Sequence, residues 1–349
     1  MTRQRRKTAL VAGGAGFVGS HLCDRLIAHN FDVTCIDNLR TGLLDNLRQL
    51  RREPRFNFIK HDVIEPIPAG LSTELVFNLA CVASPPLYQR DPVHTMLTSV
   101  VGTNNLLSFA AAQNARLLQA STSEIYGNPD VHPQPETYLG NVNPIGPRAC
   151  YDEGKRAAET LCFDYVRKRL ADARVVRIFN TYGPRLRASD GRVISNLIDQ
   201  ALNGNSMTVY GDGLQTRSFC YVDDLIDGFI RMAIYRKPLL HPINLGNPDE
   251  HAIVDIAMMI RRMTRSESPI VFRPLPADDP CRRRPDISLA GKLLRWQPRI
   301  GLEAGLERTI DWFRAAARNE SGGSPLPPSS AVLAGQIRQQ SGLQVTGSD

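Results

Sequence analysis

The chain has 349 residues, 42% of them hydrophobic and 22% charged, with a formal net charge of +7. That balance suits a globular protein of one to three domains, and with no apolar run of about 18 residues, no membrane-spanning helix is expected. The positive charge suits an anionic small molecule. Nucleic-acid binding is not expected, because the two basic clusters, residues 3–7 (RQRRK) and 282–284 (RRR), are short and carry no interleaved aromatics.

The elements follow in chain order. "TALVA" is a short apolar run ending in glycines, and "FVGSHLCDRLIAHN" has helical periodicity with Phe17, Leu22, Leu26 and Ile27 on one side. "DVTCID", "FNFIKHD" and "ELVFNLA" read as strands, and residues 93–114 as one long helix. A strand "ARLLQAS", a helix over about 151–170 and a strand "ARVVRIFN" complete the alternation. Near-continuous apolar strands separated by helices predict an α/β fold, a Rossmann-type doubly wound parallel sheet covered on both faces. Beyond Asn180, Gly, Pro and Arg become frequent, and short helices are expected near 193–203, 222–234 and 253–264. Residues 8–180 are thus expected to form a dinucleotide-binding domain. Residues 181–318 mainly form a smaller C-terminal α/β substrate-binding region, with strands or helices free to return to the first domain. Residues 1–7 and the Ser/Gly/Pro-rich tail 319–349 are expected to be disordered.

Seven cysteines stand at positions 23, 35, 81, 150, 162, 220 and 281, an odd number with no CxxC. They read as reduced core residues, which favours a reducing compartment. The basic N-terminus runs into a strand without a signal-like apolar stretch, so a cytoplasmic location is expected.

"VAGGAGFVGSHL" follows the first strand and opens the first helix. Gly14, Gly16 and Gly19 give G-x-G-x-x-G, and Gly13, Gly16 and Gly19 give the related G-x-x-G-x-x-G spacing. Glycines there permit a tight turn and let backbone N–H groups reach a pyrophosphate at the helix N-terminus. Asp37, at the end of the second strand, is placed to bind adenosine ribose hydroxyls and to repel a 2′-phosphate. NAD is therefore expected as cofactor rather than NADP, although Arg40 stands nearby. Asp62, after the third strand, is expected at the adenine amino group, and the small residues of "NLACVAS" let a cofactor lie against the backbone.

"CYDEGKRAAET" places Tyr151 four residues before Lys155, on one helix face. "QASTSEIYG" supplies Thr122, Ser123 and Glu124 at a strand C-terminus, where ligands bind in open α/β sheets. Thr122, Tyr151 and Lys155 together resemble the arrangement of the extended short-chain dehydrogenase/reductase superfamily. In this reading a nearby ammonium and a positive nicotinamide ring stabilise the Tyr151 phenolate, Lys155 holds the ribose, and Thr122 donates to the reacting oxygen.

From about Lys7 to Phe313 the chain resembles the UDP-glucuronic acid decarboxylases, also called UDP-xylose synthases. The resemblance rests on "GGAGFVGSHL", "LACVASPPLYQRDPVHT", "ASTSEIYGNP", "HPQPETYLGNVNPIGPRACYDEGKRAAETL", "RIFNTYGPR", "DGRVISNLIDQAL", "VYGDGLQTRSFCYVDDL", "NLGNP" and "PLPADDPCRRRPDI". It implies NAD that is recycled, UDP-glucuronate as substrate and a homodimer. The implied chemistry is oxidation at C4, loss of CO₂ from the 4-keto sugar and re-reduction, with catalytic roles for Thr122, Ser123, Glu124, Tyr151, Lys155 and Arg283. It also implies cofactor contacts from Phe17, Val18, Asn38, Thr41, Gly42, Val63, Ala80, Thr181 and Arg192. Substrate contacts are implied for Pro85, Tyr88, Asn180, Asn196, Tyr210, Arg217 and Arg283. Which arginine of 282–284 faces the sugar is left open by one position, and Val82 replaces a usual proline beside the cofactor loop. No metal is implied.

The run Thr-Ser-Glu separates this reading from its alternatives on the same scaffold. A 4,6-dehydratase has Thr-Asp-Glu there, and serine cannot serve as that acid. A 4-epimerase usually has a small residue in place of Glu124. A non-catalytic NAD-binding regulator is opposed by the intact Thr122, Tyr151 and Lys155.

Overall fold

The computed structural model describes residues 6–275 and 282–320. In chain order the first part runs β1 (Thr8–Ala12), α1 (Phe17–Ala28), β2 (Asp32–Asp37), β3 (Phe56–Lys60), β4 (Leu75–Asn78), a single turn α2 (Pro85–Tyr88), α3 (Pro92–Leu97), α4 (Thr103–Ala112), β5 (Arg116–Thr122), α5 (Ala149–Arg167) and β6 (Asp172–Ile178). The second part runs β7 (Thr181–Tyr182), α6 (Val193–Leu202), β8 (Met207–Tyr210), β9 (Thr216–Ser218), β10 (Cys220–Tyr221), α7 (Val222–Ile234), β11 (Ile243–Leu245), β12 (Glu250–Ala252), α8 (Ile253–Thr264), β13 (Ile270–Arg273), β14 (Arg282–Arg283), α9 (Ser288–Leu294) and α10 (Leu302–Glu320).

Seven parallel strands form one sheet in the order β11-β6-β5-β4-β1-β2-β3. The doubly wound sheet expected from the alternation is present. Strand direction forces β1, β2, β4, β5 and β6 to release their C-terminal ends on one edge, and the order reverses between β1 and β4, where such folds open a crevice. Apolar residues cover both faces. Leu22, Leu26, Val176, Leu225 and Phe229 belong to one cluster, and Leu10, Val76, Leu106, Leu117 and Val175 to the other. From the second part, β11 joins the large sheet beside β6, while β12-β9-β14 and β13-β8 make two small sheets.

Two features depart from the sequence expectation. The helix predicted over 93–114 is α3 and α4 joined by one π turn, Thr98–Gly102. Close approaches occur there: a Cβ at Gly102 would lie 2.6 Å from Val63 Cγ2, and Ser99 lies against Gly154 of α5. A widened turn at such a place shifts the register of the following helix. Helices α9 and α10 are additional to the predicted set, although Leu302, Leu306, Ile310 and Phe313 carry helical spacing and are buried. Residues 1–5 and 321–349 of the expected disordered ends, and 276–281 of the "PLPADDPC" motif, lie outside the described residues. Arg6 is described and donates to Asp32 at 3.4 Å.

A buried ionic network locks α5 to the sheet. Arg177 of β6 meets Glu159 of α5 at 2.8 Å, donates to the Tyr126 hydroxyl at 3.0 Å and lies over the Tyr126 ring at 5.0 Å. Ser121 donates to the same glutamate, and Tyr126 donates to Asn244 of β11. Glu159 stands one turn after Lys155, so this network fixes the rotation and depth of the helix that carries Tyr151. Removing one member leaves an uncompensated buried charge. Glu159→Leu should therefore lower stability by about 3–5 kcal/mol, and adding Arg177→Leu should recover part of that loss in urea denaturation.

Candidate active site

The cavity lies along the C-terminal edge of the sheet and has a volume of about 570 Å³. A smaller one of about 70 Å³ adjoins it and shares Gly13, Gly16, Thr41 and Cys81 with it. The two form one trough across the strand-order reversal.

The floor is the glycine loop. Gly13 has φ +78°, a backbone that favours glycine, and a Cβ there would sit 2.7 Å from the Leu79 carbonyl group. A Cβ at Gly19 would overlap the Gly13 carbonyl oxygen, so the helix begins hard against the loop. Asp37 ends β2 and accepts from the N–H groups of Ala15 at 2.9 Å and Leu39 at 2.8 Å. Each carboxylate oxygen keeps accepting capacity for a ribose hydroxyl. Burial pushes this carboxyl upward. Arg40, the residue able to welcome a 2′-phosphate, is tied to Asp91 at 2.6 Å. Asp62 accepts from Asn38 at 2.7 Å and lies 2.8 Å from His94 Nε2; burial pushes its carboxyl upward, but the contacts with Asn38, His94 and the Ile64 N–H hold it below the usual range. A cradle that a single methyl would fill, ended by a carboxylate, fits a dinucleotide with free ribose hydroxyls.

Asp37, Asn38, Thr41, Gly42, Val63 and Ala80 sit together at the small cavity, and Asp62 reaches it through Asn38 and His94. Phe17, Val18, Gly19, Thr181 and Arg192 line the large one. So do Pro85, Tyr88, Thr122, Ser123, Glu124, Tyr151, Lys155, Asn180, Asn196, Tyr210, Arg217 and Arg283. Most of the residues singled out in the sequence thus border one trough; Gly14 instead faces Cys35 and Cys23 in the core, and Arg40 and Asp62 line neither cavity. Arg283 is the buried member of the arginine run and Arg282 is exposed, because alternate residues of β14 face opposite sides.

Tyr151 is buried in the first turn of α5, with its ring stacked on Tyr88 at 5.2 Å between centroids and 2° between planes. Thr122 hydrogen-bonds its phenol, and Lys155 Nζ stands 5.8 Å from the ring centroid while donating to the Ala120 carbonyl at 2.9 Å. Burial is the largest influence and pushes Tyr151 upward, and among the nearby groups Thr122 and Arg192 pull it down. In the protein alone this phenol is a proton donor; forming the phenolate requires further positive charge.

Glu124 is clamped between two guanidinium groups. Arg148 Nη2 lies 2.5 Å from Oε2, and Arg283 Nη1 lies 3.3 Å from Oε1. Arg283 also donates to Ser123 Oγ at 3.1 Å and to the Gly127 carbonyl at 3.0 Å. Burial opposes ionisation of Glu124, but Arg283, Arg148 and Arg217 together hold its carboxyl below the usual range. It is an anion at neutral pH and a hydrogen-bond acceptor. Opposite, Arg187 donates to the Thr41 carbonyl at 3.5 Å and Ser84 to the Asp190 carbonyl, so the 185–192 segment spans the trough.

Arg148, Arg187, His94 and Asp152 were not singled out in the sequence. Arg148 was the most accessible of them, standing in "GPRACYDEGK" just before the helix that carries Tyr151. The other three become visible only when distant segments meet.

The model of the NAD dependent epimerase/dehydratase family matches residues 9–246. UDP-glucuronic acid decarboxylase 1 of Danio rerio is 47% identical over 332 residues, covering 95% of this chain and 78% of that protein. UDP-glucuronic acid decarboxylase 1 of Arabidopsis thaliana is 50% identical over 323 residues, covering 93% and 73%. Among solved structures, a UDP-glucuronic acid 4-epimerase from Bacillus cereus in complex with UDP-glucuronic acid and NAD has a TM-score of 0.79 at 28% identity, covering 88% of this chain and 99% of that one. An epimerase from Methanothermobacter thermautotrophicus has a TM-score of 0.83 at 26% identity, covering 90% and 94%. With its glycine cradle, its Tyr151–Lys155 helix and these relatives, the chain belongs to the NAD dependent epimerase/dehydratase family and groups within it with the UDP-glucuronic acid decarboxylases.

Proposed function

We propose that the chain is an NAD-dependent enzyme that decarboxylates UDP-glucuronate to UDP-xylose. The observation that carries this reading is the Glu124–Arg148–Arg283 cluster facing the same cavity as Tyr151 and Thr122. Arg148 and Arg283 outnumber Glu124, and Arg217 adds to the positive field, so the cluster suits a sugar carboxylate. Bound NAD supplies reversible acceptance of a hydride from sugar C4. We assign residues 8–180 mainly to holding that cofactor and 181–318 mainly to the UDP-sugar.

The protein's own groups then have distinct tasks. Tyr151 Oη takes the proton of the C4 hydroxyl, and Thr122 donates a hydrogen bond to the same oxygen. Lys155 braces the ribose beside the phenol. The C4 ketone is β to the C6 carboxylate, so the C5–C6 bond breaks with its electrons flowing to the C4 oxygen. Tyr151 Oη–H and Thr122 face the developing enolate as donors. Arg283 orients the departing carboxylate, and Glu124, held ionised, fixes the ring or a water that protonates C5. Tyr151 finally returns its proton as C4 is reduced. The sum is UDP-glucuronate plus one proton giving UDP-xylose plus CO₂, with no net redox change. Arg217, with its planar fork, and Asn180 are assigned to the diphosphate, and Tyr210 to the uracil.

We also propose a homodimer. Val93, Leu97 and Val101 recur every four residues along α3 and its π turn and are 68%, 41% and 37% exposed, an apolar stripe suited to a second copy of this helix. Free cysteines at 23, 35, 81, 150, 162 and 220 support a reducing location such as the cytoplasm.

Incubation with UDP-glucuronate and NAD⁺, followed by mass analysis, should show a nucleotide sugar lighter by one CO₂. Tyr151→Phe should lower turnover by at least about 100-fold while NAD still binds, as expected for loss of a general acid–base group. An unchanged sugar mass refutes the function, and near-normal turnover of the variant refutes the role. Glu124→Ala should lower kcat by about 10- to 1,000-fold with nucleotide-sugar affinity within a few-fold; a change in affinity alone would reduce Glu124 to a substrate contact. Val93→Glu with Leu97→Glu should convert a dimer to monomers in light scattering, and a monomeric wild type would remove the assembly.

A further inference from the structure

Arg283 stands on β14, a strand of two residues whose placement is not explained by its own pairing. β14 runs parallel to β9, with Arg282 level with Thr216 and Arg283 level with Arg217. Arg217 and Arg283 are 8% and 1% exposed, and both line the cavity. Two cations side by side on neighbouring strands repel each other, so the pairing works against the placement it produces. The bonds of the Arg283 guanidinium to Ser123, Glu124 and Gly127 hold the tip of that side chain. The backbone at its root needs a holder of its own.

That holder is Gln134, which is fully buried and lines neither cavity. Its Oε1 accepts from the Arg284 N–H at 2.9 Å, and its Nε2 donates to the Val131 carbonyl at 2.7 Å. Its backbone N–H donates to the Arg284 carbonyl at 2.9 Å, and its carbonyl accepts from the Asp286 N–H at 3.0 Å. One residue thus grips the chain immediately after Arg283 on both sides of a peptide unit. The Gln134 carbonyl also accepts from Asn244 Nδ2 at 3.0 Å, and Asn244 Oδ1 accepts from the Tyr126 hydroxyl at 2.8 Å. Tyr126 belongs to the Glu159–Arg177 network that fixes α5. A continuous run of buried hydrogen bonds therefore joins the strand that carries Arg283 to the helix that carries Tyr151.

We propose that Gln134 is a positioning residue that holds Arg283 within reach of the sugar carboxylate and so sets the selectivity for the acidic sugar over its carboxylate-free product. This rests on the reading above, in which Arg283 orients that carboxylate. Loss of the Gln134 amide leaves the backbone bonds of β14 in place but frees the Arg284 N–H beside the arginine. The displaced guanidinium then costs the acid a contact that the product never makes. Arg217 stays in place, because β9 is held on its other side by β12.

The test uses the NAD-loaded enzyme and compares KM for UDP-glucuronate with the competitive inhibition constant of UDP-xylose. The two nucleotides share uracil and diphosphate, so effects common to both cancel in the ratio. Q134M removes both amide bonds and should raise the ratio about tenfold, with the UDP-xylose constant and NAD affinity within about twofold of wild type. In Q134E a buried, neutral carboxyl accepts from the Arg284 N–H and donates to the Val131 carbonyl as the amide does, so the ratio should stay within about threefold of wild type. R283A should also raise the ratio, and adding Q134M to it should raise it no further, because the two changes act through one group. A flat ratio in Q134M, with both nucleotides weakened alike, overturns the proposal, and so does a further rise in the double variant. Where Q134M does not fold, Q134E decides: a ratio near wild type supports the proposal and a tenfold rise overturns it. CO₂ release by the wild type with a flat ratio in Q134M keeps the functional reading and removes the role of Gln134. A wild type that releases no CO₂ removes the functional reading, and the ratio of dissociation constants then decides for Gln134 alone.

Discussion

A half-buried carboxylate held between two guanidinium groups, one of them fully buried, organises the sugar end of this molecule. Glu124, Arg148 and Arg283 come from the turn after β5, the start of α5 and β14, three segments far apart in sequence. Arg283, buried at 1% exposure, needs the Glu124 charge to offset its lost hydration. Their mutual dependence draws the second part of the chain onto the sheet edge. It also keeps Glu124 an anion, a hydrogen-bond acceptor rather than a donor.

The cofactor end obeys a steric constraint instead. Gly13 and Gly19 approach so closely that no side chain fits between loop and helix, and the backbone of Leu79 and Ala80, just after β4, passes directly behind Gly13. The two ends meet at Tyr151. Its helix is held by Glu159 and Arg177 from below and by the stacked ring of Tyr88 from above. A phenol so buried resists ionisation, which keeps it protonated until positive charge arrives beside it.

Much of this was legible in the sequence, for physical reasons. Continuous apolar strands, a glycine loop before a helix and an i, i+4 Tyr–Lys pair are local patterns, and they gave the sheet and both ends of the trough. Helices 222–234 and 253–264 lie where their periodicity placed them. The π turn at Thr98–Gly102 was not legible, because it answers to Val63 and to Gly154, residues remote in the chain. Arg148 looked like any loop arginine until Glu124 stood opposite. Asp152 looked like an ordinary acidic residue in the first turn of a helix, where such residues are common. Its burial comes from tertiary packing, and the only trace of it in sequence is its place beside Tyr151.

The central claim is that C4 of the sugar is oxidised, its carboxyl group leaves and the same C4 is restored, with no net redox change. The most direct measurement follows isotope through a single conversion: UDP-glucuronate carrying deuterium at C4, turned over in ordinary water, with the label located in UDP-xylose by NMR. Retention of deuterium at C4, together with one solvent-derived hydrogen at C5, is the predicted result. Loss of the C4 label to water, or its appearance at C5, would contradict the account.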